Sequence, residues 1–283
     1  MEIIFLRMAE TMTFQFGERS LALHRGSPAL MGILNVTPDS FSDGGRFLDC
    51  DQAVAHAMRM VEEGAAILDI GGESTRPGFS PVTAQEEIRR VVPVIRKIRE
   101  RSAIPISIDT SKADVALAAL EAGADIVNDV SALSDPNMAG VVGEHHAGCI
   151  LMHSSAAPPD VDAPTWVAEW LGQKLAEAQR QCQLPHPFFM ADPGIGFGKT
   201  LPQNLALMAH LERLADTLPV PILLAMSRKS FIGAVANEPD PTERLPGTVA
   251  AAVLARGSCH LLRVHDVGAI RQALAVTSAL MEC

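Results

Sequence analysis

Side chains that could do chemistry recur in this sequence at one kind of place, the end of a short apolar run. A single acid there could simply cap the following helix. All eight runs, however, end in polar or charged groups. This predicts a pocket at which these groups converge, because such groups are seldom buried without partners. The residues are Asn35, Asp69, Glu73, Asp109, Asn128, Asp129, His153, Asp192, Ser227, Arg228, Lys229, Arg263 and His265.

Two kinds of chemistry are present around this pocket. One set suits a flat heterocycle with an amino–imine edge and a carbonyl, because a carboxylate can accept two parallel hydrogen bonds from such an edge. This set is Asp109, Asn128, Asp192 and Lys229. A second set is cationic or can become so, and it suits an anion such as diphosphate. That set is Arg76, Arg263 and His265.

The elements that must position these residues are strands and helices in alternation. Continuous apolar runs, rather than alternating ones, are typical of strands buried on both faces of a parallel sheet. They cover 29–36, 65–72, 104–110, 125–130, 148–153, 187–194, 221–227 and 260–265. Helical patterns lie between them, among others at 51–65, 83–100, 112–124 and 165–182. Eight such units predict an α/β fold, the (β/α)8 TIM barrel, with a doubly wound open sheet as the alternative.

The chain reads as a single domain over residues 1–283. Residues 12–24 alternate around Gly17 and predict an N-terminal β-hairpin that covers the bottom of the barrel, after a short extension at 1–11. A barrel places its chemistry at the carboxyl ends of its strands, where the polar residues occur.

The stretch "ADPGIGFGKT" resembles a phosphate-binding loop but does not match one. Such a loop needs a glycine five positions before its Gly-Lys pair, so that backbone N–H groups point at the phosphates. Here that position is Pro193, which has no N–H. We therefore expect the glycines to allow a tight turn and not to hold phosphate.

The bulk composition excludes several partners. The net charge of −10 argues against nucleic acid. The five cysteines are dispersed and form no C-x-x-C pair, which favours a reducing compartment, the cytoplasm. The sequence holds no run of about 18 apolar residues, so no membrane association is expected.

Seven segments, in order, resemble the dihydropteroate synthase family. They are "MGILNVTPDSFSDGG" (31–45), "DIGGESTRPG" (69–78), "ISIDTSK" (106–112), "IVNDV" (126–130), "DPGIGFGK" (192–199), "SRKSFIG" (227–233) and "RVHDV" (263–267). The resemblance implies a homodimeric TIM barrel, a pterin-binding transferase of folate biosynthesis that uses Mg²⁺. Its members join 6-hydroxymethyl-7,8-dihydropterin diphosphate to p-aminobenzoate and release diphosphate, and sulfonamides compete with p-aminobenzoate.

Matching the motifs residue by residue implies a division of the site. The pterin-binding set is Asp109, Asn128, Met152, Asp192, Phe197 and Lys229. The p-aminobenzoate set is Phe41, Thr75, Arg76, Pro77, Ser227, Arg228 and Lys229. The diphosphate set is Asn35, Arg76, Arg263 and His265, with Asn35 also at the Mg²⁺. The expected catalytic residues are Lys229, Asp109, Arg263, His265, Asp39 and Asp43, the carboxylates stabilising the cation of an SN1-like path.

One segment departs from the family pattern, and two rival functions remain open. The chain reads "SSAAPPDVDAP" over 154–164, where the family often has a Gln-Gly turn, so the shape of this fifth loop is not predicted. A pterin-dependent methyltransferase domain would share the barrel and the acidic clamp but would need no diphosphate site. A non-catalytic pterin-binding paralogue would not need Arg263 and His265 at the leaving-group end.

Overall fold

All eight apolar runs form parallel strands of one sheet. The computed structural model describes residues 11–37, 46–73 and 82–281, with only the helical backbone for 46–49. The N-terminal hairpin is β1 (Thr11–Phe16) and β2 (Arg19–His24). The sheet contains β3 (Ala29–Asn35), β4 (Ile67–Gly71), β5 (Ile106–Asp109), β6 (Ile126–Asp129), β7 (Gly148–Met152), β8 (Phe189–Asp192), β9 (Leu223–Ala225) and β10 (Leu261–Val264).

The order of the strands closes the sheet into a barrel. The sheet runs β8-β7-β6-β5-β4-β3-β10-β9. Between its two ends, Ala191 and Ile222 form a parallel bridge, and the amide of Ala191 donates to the carbonyl of Pro221 at 3.0 Å. The TIM barrel is therefore confirmed over the open doubly wound sheet.

Helices surround the barrel. Within the described residues they are α1 (Arg46–Glu62), α2 (Ala84–Arg99), α3 (Ala113–Glu121), α4 (Met138–Glu144), α5 (Ala163–Cys182), α6 (Leu201–Ala209), α7 (Glu212–Thr217), α8 (Ser230–Ala236), α9 (Leu245–Ala255) and α10 (Val267–Met281). The four helices predicted by periodicity are α1, α2, α3 and α5, with ends that differ by a few residues. None of the helices described is long and apolar enough to cross a bilayer.

Alternate residues of each strand face two different environments. Leu68 and Ile70 of β4, for example, join the large apolar cluster shared with the helices. Ile67, two residues before Asp69, joins a smaller cluster inside the barrel. Because side chains alternate along a strand, Asp69 faces the barrel interior above Ile67. The same parity directs Asp109, Asn128 and their counterparts on other strands inward.

The predicted hairpin closes the opposite end of the barrel. Phe14, Phe16 and Leu23 pack in one cluster with the first inward residues of the strands, including Met31 and Leu261. Phe14 and Phe16 fill this end of the barrel. The accessible mouth of the barrel is therefore at the carboxyl ends of the strands. The predicted extension at 1–11 lies, apart from Thr11, outside the described residues.

Candidate active site

One guanidinium holds two carboxylates at the mouth of the barrel. Arg263 Nε donates to Asp69 Oδ2 at 2.5 Å, and its Nη2 donates to Asp109 Oδ2 at 2.6 Å. Asn128 Nδ2 donates to the same oxygen of Asp69 at 3.2 Å. Arg263 thus joins two acids that lie 194 and 154 positions away in sequence, and Asn128 extends the same hydrogen-bonded cluster. The sequence placed Arg263 with the anion-binding set, but its guanidinium lies directly against the acid of the ring-binding set.

The cluster carries two acids for one permanent cation. Asp69 is fully buried, and one carboxylate oxygen of each acid, Oδ1, has no hydrogen-bond partner within the described residues. Burial raises the pKa of Asp109, with Arg263 opposing this effect and Asp69 adding to it. Burial works against the charge of Arg263, but Asp69 and Asp109 hold its pKa above the ordinary value. Each of these two oxygens therefore keeps its capacity to accept a further hydrogen bond.

Asp192 and Lys229 form a second part of the pocket. Asp192 Oδ1 accepts from the amide of Gly194 at 2.7 Å, and Lys229 Nζ donates to the carbonyl of Ile195 at 2.5 Å. The same Nζ lies 4.7 Å from the centre of the Phe197 ring, within reach of a cation–π interaction. Burial lowers the pKa of Lys229 to about 8, against the effect of Asp192.

The glycine-rich loop is a tight turn whose polar groups bond internally. The amides of Gly194, Gly196 and Phe197 donate to Asp192, Asn204 and the carbonyl of Gly194, respectively. Gly194 and Gly198 have φ of 67° and 61°, and a Cβ at either would overlap a backbone carbonyl of the neighbouring loop. The turn needs its glycines for close backbone approach. This arrangement agrees with the exclusion of a phosphate-binding loop.

Ser227 and Arg228 already have partners at the end of β9. Ser227 Oγ lies 3.0 Å from His265 Nδ1, and it also accepts from the amide of His265. Arg228 donates to both carboxylate oxygens of Asp266, at 3.0 and 2.6 Å. The p-aminobenzoate role of Arg228 stays a prediction, and its charge is balanced by Asp266.

His153 packs between two indole rings. Its imidazole meets Trp166 and Trp170 edge-on, with ring centres 4.6 and 4.7 Å apart. The residue is fully buried, and neither ring nitrogen has a hydrogen-bond partner in the described part of the chain. Burial lowers the pKa of His153 to about 4, so the ring is neutral near pH 7. His153 thus packs against aromatic rings, although the sequence placed it among the polar residues of the pocket.

The atypical fifth loop is tied to the glycine-rich loop. The amide of Ala157 donates to the carbonyl of Gly198 at 2.9 Å, and Gln203 Nε2 donates to the carbonyl of Pro158 at 2.8 Å. Asp162 then caps α5 by accepting from the amide of Thr165. Met152, at the start of this segment, pairs in register with Asp192, so the two predicted pterin contacts are neighbours.

Several predicted site residues lie outside the described residues: Asp39, Phe41, Asp43, Thr75, Arg76 and Pro77. Asn35, at the end of β3, and Glu73, just after β4, precede these residues in the chain and are described. Asn35 Oδ1 lies 3.8 Å from the position that a Cβ on Gly71 would occupy, and so does Asp109 Oδ2. Glu73 accepts from Lys112 Nζ at 2.7 Å and from the amide of Val82 at 2.9 Å.

Sequence reasoning did not assign three residues that the structure brings into this region. Asp69 was recognised as a polar strand end but received no role, although it bonds both Arg263 and Asn128. Lys199 lies in the motif "DPGIGFGK", but no partner for its side chain could be predicted from the sequence. Asp266 lies in "RVHDV", and only the fold shows that it pairs with Arg228. No local signal pointed to this role of Asp69, because the inward direction of Ile67, from which that of Asp69 follows, is known only from the folded barrel.

Comparisons with known proteins show which family the chain resembles along its length. The sequence profile of the family described as "Pterin binding enzyme" matches residues 31–265. Dihydropteroate synthase from Synechocystis is 44% identical over 259 residues, 89% of each chain. The structure of Xanthomonas albilineans dihydropteroate synthase with 4-aminobenzoic acid aligns with a TM-score of 0.90 at 43% identity, over 97% of this chain and 100% of that one. Yersinia pestis dihydropteroate synthase in a sulfonamide drug complex aligns at 0.85 and 38%, over 96% and 99%.

The family profile spans most of the chain, and the relatives are similar along almost their whole length. The similarity is therefore one of whole proteins and not only of the fold or of one part. The chain belongs to the dihydropteroate synthase family of pterin-binding enzymes.

Proposed function

We propose that this chain condenses 6-hydroxymethyl-7,8-dihydropterin diphosphate with p-aminobenzoate to give 7,8-dihydropteroate and diphosphate. The observation that carries the proposal is the convergence of Asp69, Asp109, Asn128 and Arg263 in one hydrogen-bonded cluster at the mouth of the barrel. Family membership then gives this cluster its substrate. The experiment is an assay of diphosphate release that depends on added p-aminobenzoate, which a methyltransferase domain or a non-catalytic paralogue would not show.

The pterin ring binds between two groups of acceptors and donors. Asp109, Asn128 and Asp192 offer carboxylate and amide groups to the N–H and amino edge of the ring. The free Oδ1 atom of Asp109 supports this role, because a buried acceptor without a partner is costly until a donor arrives. Lys229 donates to the carbonyl side of the ring. Phe197 and Met152 provide the apolar walls.

The leaving group departs next to cationic side chains. Loss of diphosphate from a CH2 conjugated to the electron-rich pterin gives a delocalised cation, so the protein needs no strong nucleophile of its own. Arg263 and His265, with Arg76, stabilise the charge that develops on the leaving oxygens. The carboxylate of Asp109 faces the developing cation, and Asp39 and Asp43 assist it. The arylamine of p-aminobenzoate attacks without a dedicated general base.

Asn35 fits a magnesium site that the diphosphate completes. Its amide oxygen is a hard donor, and the missing side chain of Gly71 leaves space between it and Asp109. Among the described residues no three acidic, histidine or cysteine side chains form a metal site. Mg²⁺ usually takes only one or two protein ligands and completes its shell with phosphates and water. Bound Mg²⁺ would supply charge neutralisation to the leaving diphosphate.

p-Aminobenzoate binds at the segments that follow β3, β4 and β9. Phe41, Thr75, Arg76 and Pro77 come from the first two loops, and Ser227, Arg228 and Lys229 follow β9. The hydrogen bond between Ser227 and His265 couples this subsite to the diphosphate side. The related structure with 4-aminobenzoic acid supports a subsite for this substrate.

Sulfonamides should inhibit this enzyme competitively with p-aminobenzoate. The segment "STRPGFSPVT" has no insertion that would separate drug from substrate, and a sulfonamide complex exists for the Yersinia pestis relative. Initial rates at several p-aminobenzoate concentrations should show a raised KM and an unchanged kcat as sulfonamide is added. Full activity at saturating sulfonamide, or a fall in kcat alone, would contradict the shared subsite.

A homodimer is the proposed assembly, and the cytoplasm the proposed location. The last two helices expose apolar side chains, with Leu254 84% and Leu280 72% accessible, beside Val276 and Met281. Several exposed apolar side chains on two neighbouring helices support an interface on this side of the protein. Light scattering should give twice the chain mass, and Leu254→Glu should shift it towards one chain. The dispersed cysteines support the reducing location.

A further inference from the structure

Lys199 is the lysine of the loop that resembled a phosphate-binding motif, and its ammonium is fully engaged by the protein. Nζ donates to the carbonyl oxygens of His153 at 3.1 Å, Gly194 at 3.0 Å and Phe197 at 2.9 Å. An ammonium has three N–H donors, so these bonds use all of them. No donor of this side chain remains for a phosphate in this conformation.

The three carbonyls are what keep this cation in a buried place. Burial lowers the pKa of Lys199 to about 7, while Asp192 acts in the opposite direction and Lys229 adds to the lowering. No carboxylate bonds to Nζ among the described residues. The free energy of burying the charge is therefore offset mainly by directed hydrogen bonds to the backbone.

These bonds join two elements that carry the ring-binding groups. Gly194 and Phe197 are the two ends of one turn, since the amide of Phe197 donates to the carbonyl of Gly194 at 3.1 Å. The amide of Gly194 orients the carboxylate of Asp192. The third carbonyl belongs to His153, which directly follows Met152 at the end of β7.

We propose that Lys199 is a positioning residue for the pterin pocket, cross-linking the Gly194–Phe197 turn to the end of β7 and so setting the positions of Asp192, Phe197 and Met152. This inference rests on the proposed function, because it concerns the side of the site that holds the ring. The side chain of Lys199 has no donor left for substrate. Its removal should weaken the binding of pterin more than that of p-aminobenzoate.

Three variants test this role in the full-length chain. Lys199→Met keeps the length of the apolar stem and removes the ammonium. Lys199→Arg keeps a cation with several donors. Lys174→Met is the matched control, because Lys174 pairs with Glu177 of the same helix, α5, and is half-exposed. The probe is the dihydropterin diphosphate, titrated against the fluorescence of the two tryptophans, both of which pack on His153.

We expect Lys199→Met to raise the Kd of the dihydropterin diphosphate at least tenfold, about 1.4 kcal/mol. The KM of p-aminobenzoate should change less than about threefold, since a merely structural defect would weaken both sites. Lys199→Arg should recover part of the pterin affinity, and Lys174→Met should behave as wild type.

Two results would overturn the inference. One is wild-type pterin affinity in Lys199→Met. The other is an equal loss of affinity for both substrates that Lys199→Arg does not relieve. If Lys199→Met does not fold, the losses of pterin affinity and of p-aminobenzoate affinity are compared in the same way for Lys199→Arg and Lys199→Gln. A wild-type chain that binds no pterin, or releases no diphosphate, would refute the proposed function instead.

Discussion

Replacing Lys229 with alanine is expected to lower p-aminobenzoate-dependent diphosphate release by about 10²- to 10³-fold, the range seen when one preorganised electrostatic contact is removed. Lys229 makes three interactions with the glycine-rich segment 192–198 in this structure. Its ammonium bonds the carbonyl of Ile195, lies on the face of Phe197, and interacts electrostatically with Asp192. Lys229 is half-buried, and alanine would supply none of these interactions.

Steady-state kinetics with both substrates provides the measurement. Because Lys229 is assigned to both the pterin and the p-aminobenzoate subsites, the two KM values should rise as kcat falls. Lys97→Ala is a suitable control, since Lys97 pairs with Asp51 on the surface. Retention of more than about a tenth of the wild-type rate would remove Lys229 from the catalytic set, because such a loss is worth less than about 1.4 kcal/mol.

Arg263→Met should be the most destabilising of the substitutions considered, costing about 3–5 kcal/mol of unfolding free energy, as when one partner of a buried ion pair is removed. The guanidinium is the shared partner of Asp69 and Asp109, both of them buried. Its loss leaves two carboxylates close together without a cation. Activity should be lost as well, because the acceptor geometry of Asp109 depends on this bond.

Denaturant unfolding of three variants separates the ion-pair effect from general packing. Asp69→Asn combined with Arg263→Met removes one of the stranded charges and should recover part of the stability. Arg213→Met breaks the exposed pair with Asp162 and should cost no more than about 1 kcal/mol. Equal losses in Arg263→Met and Arg213→Met would show that the buried cluster is not held by charge.

The stability loss in Arg263→Met should depend on pH. Burial and Asp69 raise the pKa of Asp109 above that of an unfolded chain, and Arg263 normally limits the rise. An acid with a raised pKa in the folded state binds its proton more tightly there, so its favourable contribution is present at low pH and disappears as the pH rises. The stability difference from wild type should therefore be larger at about pH 8 than at about pH 5.5.

Local patterning explains why so much of the barrel could be predicted. The run at 148–153, for example, corresponds to β7 with a difference of one residue at its end. Continuous apolar segments of this length can be satisfied only by strands covered on both faces, and eight of them with helices between leave few architectures. Thr83 begins α2 as predicted, because its side chain accepts from the amide of Glu86.

The candidate site could be predicted only where residue type and strand end were enough. Asp109, Asn128 and Asp192 lie at the mouth because each is the last or next-to-last residue of a strand in a closed parallel barrel. Asp69 was different, because it lies two residues before the end of β4, and the sequence shows no alternation from which its direction could be read. His153 was counted among the polar pocket residues, whereas its ring packs against two indoles from α5.

The sequence by itself determined the strands, the helices between them, the end of the barrel that carries the polar residues and the family, because these follow from patterns and motifs within short segments. Only the tertiary structure decided the partners. Arg263 is held by two acids from β4 and β5, Arg228 by Asp266, and Lys199 by three carbonyls. Barrel closure brings together groups up to 194 residues apart, and burial makes an unpaired charge too costly to leave there. Which acid pairs with which base therefore depends on distances in the folded chain, and no local sequence pattern contains those distances.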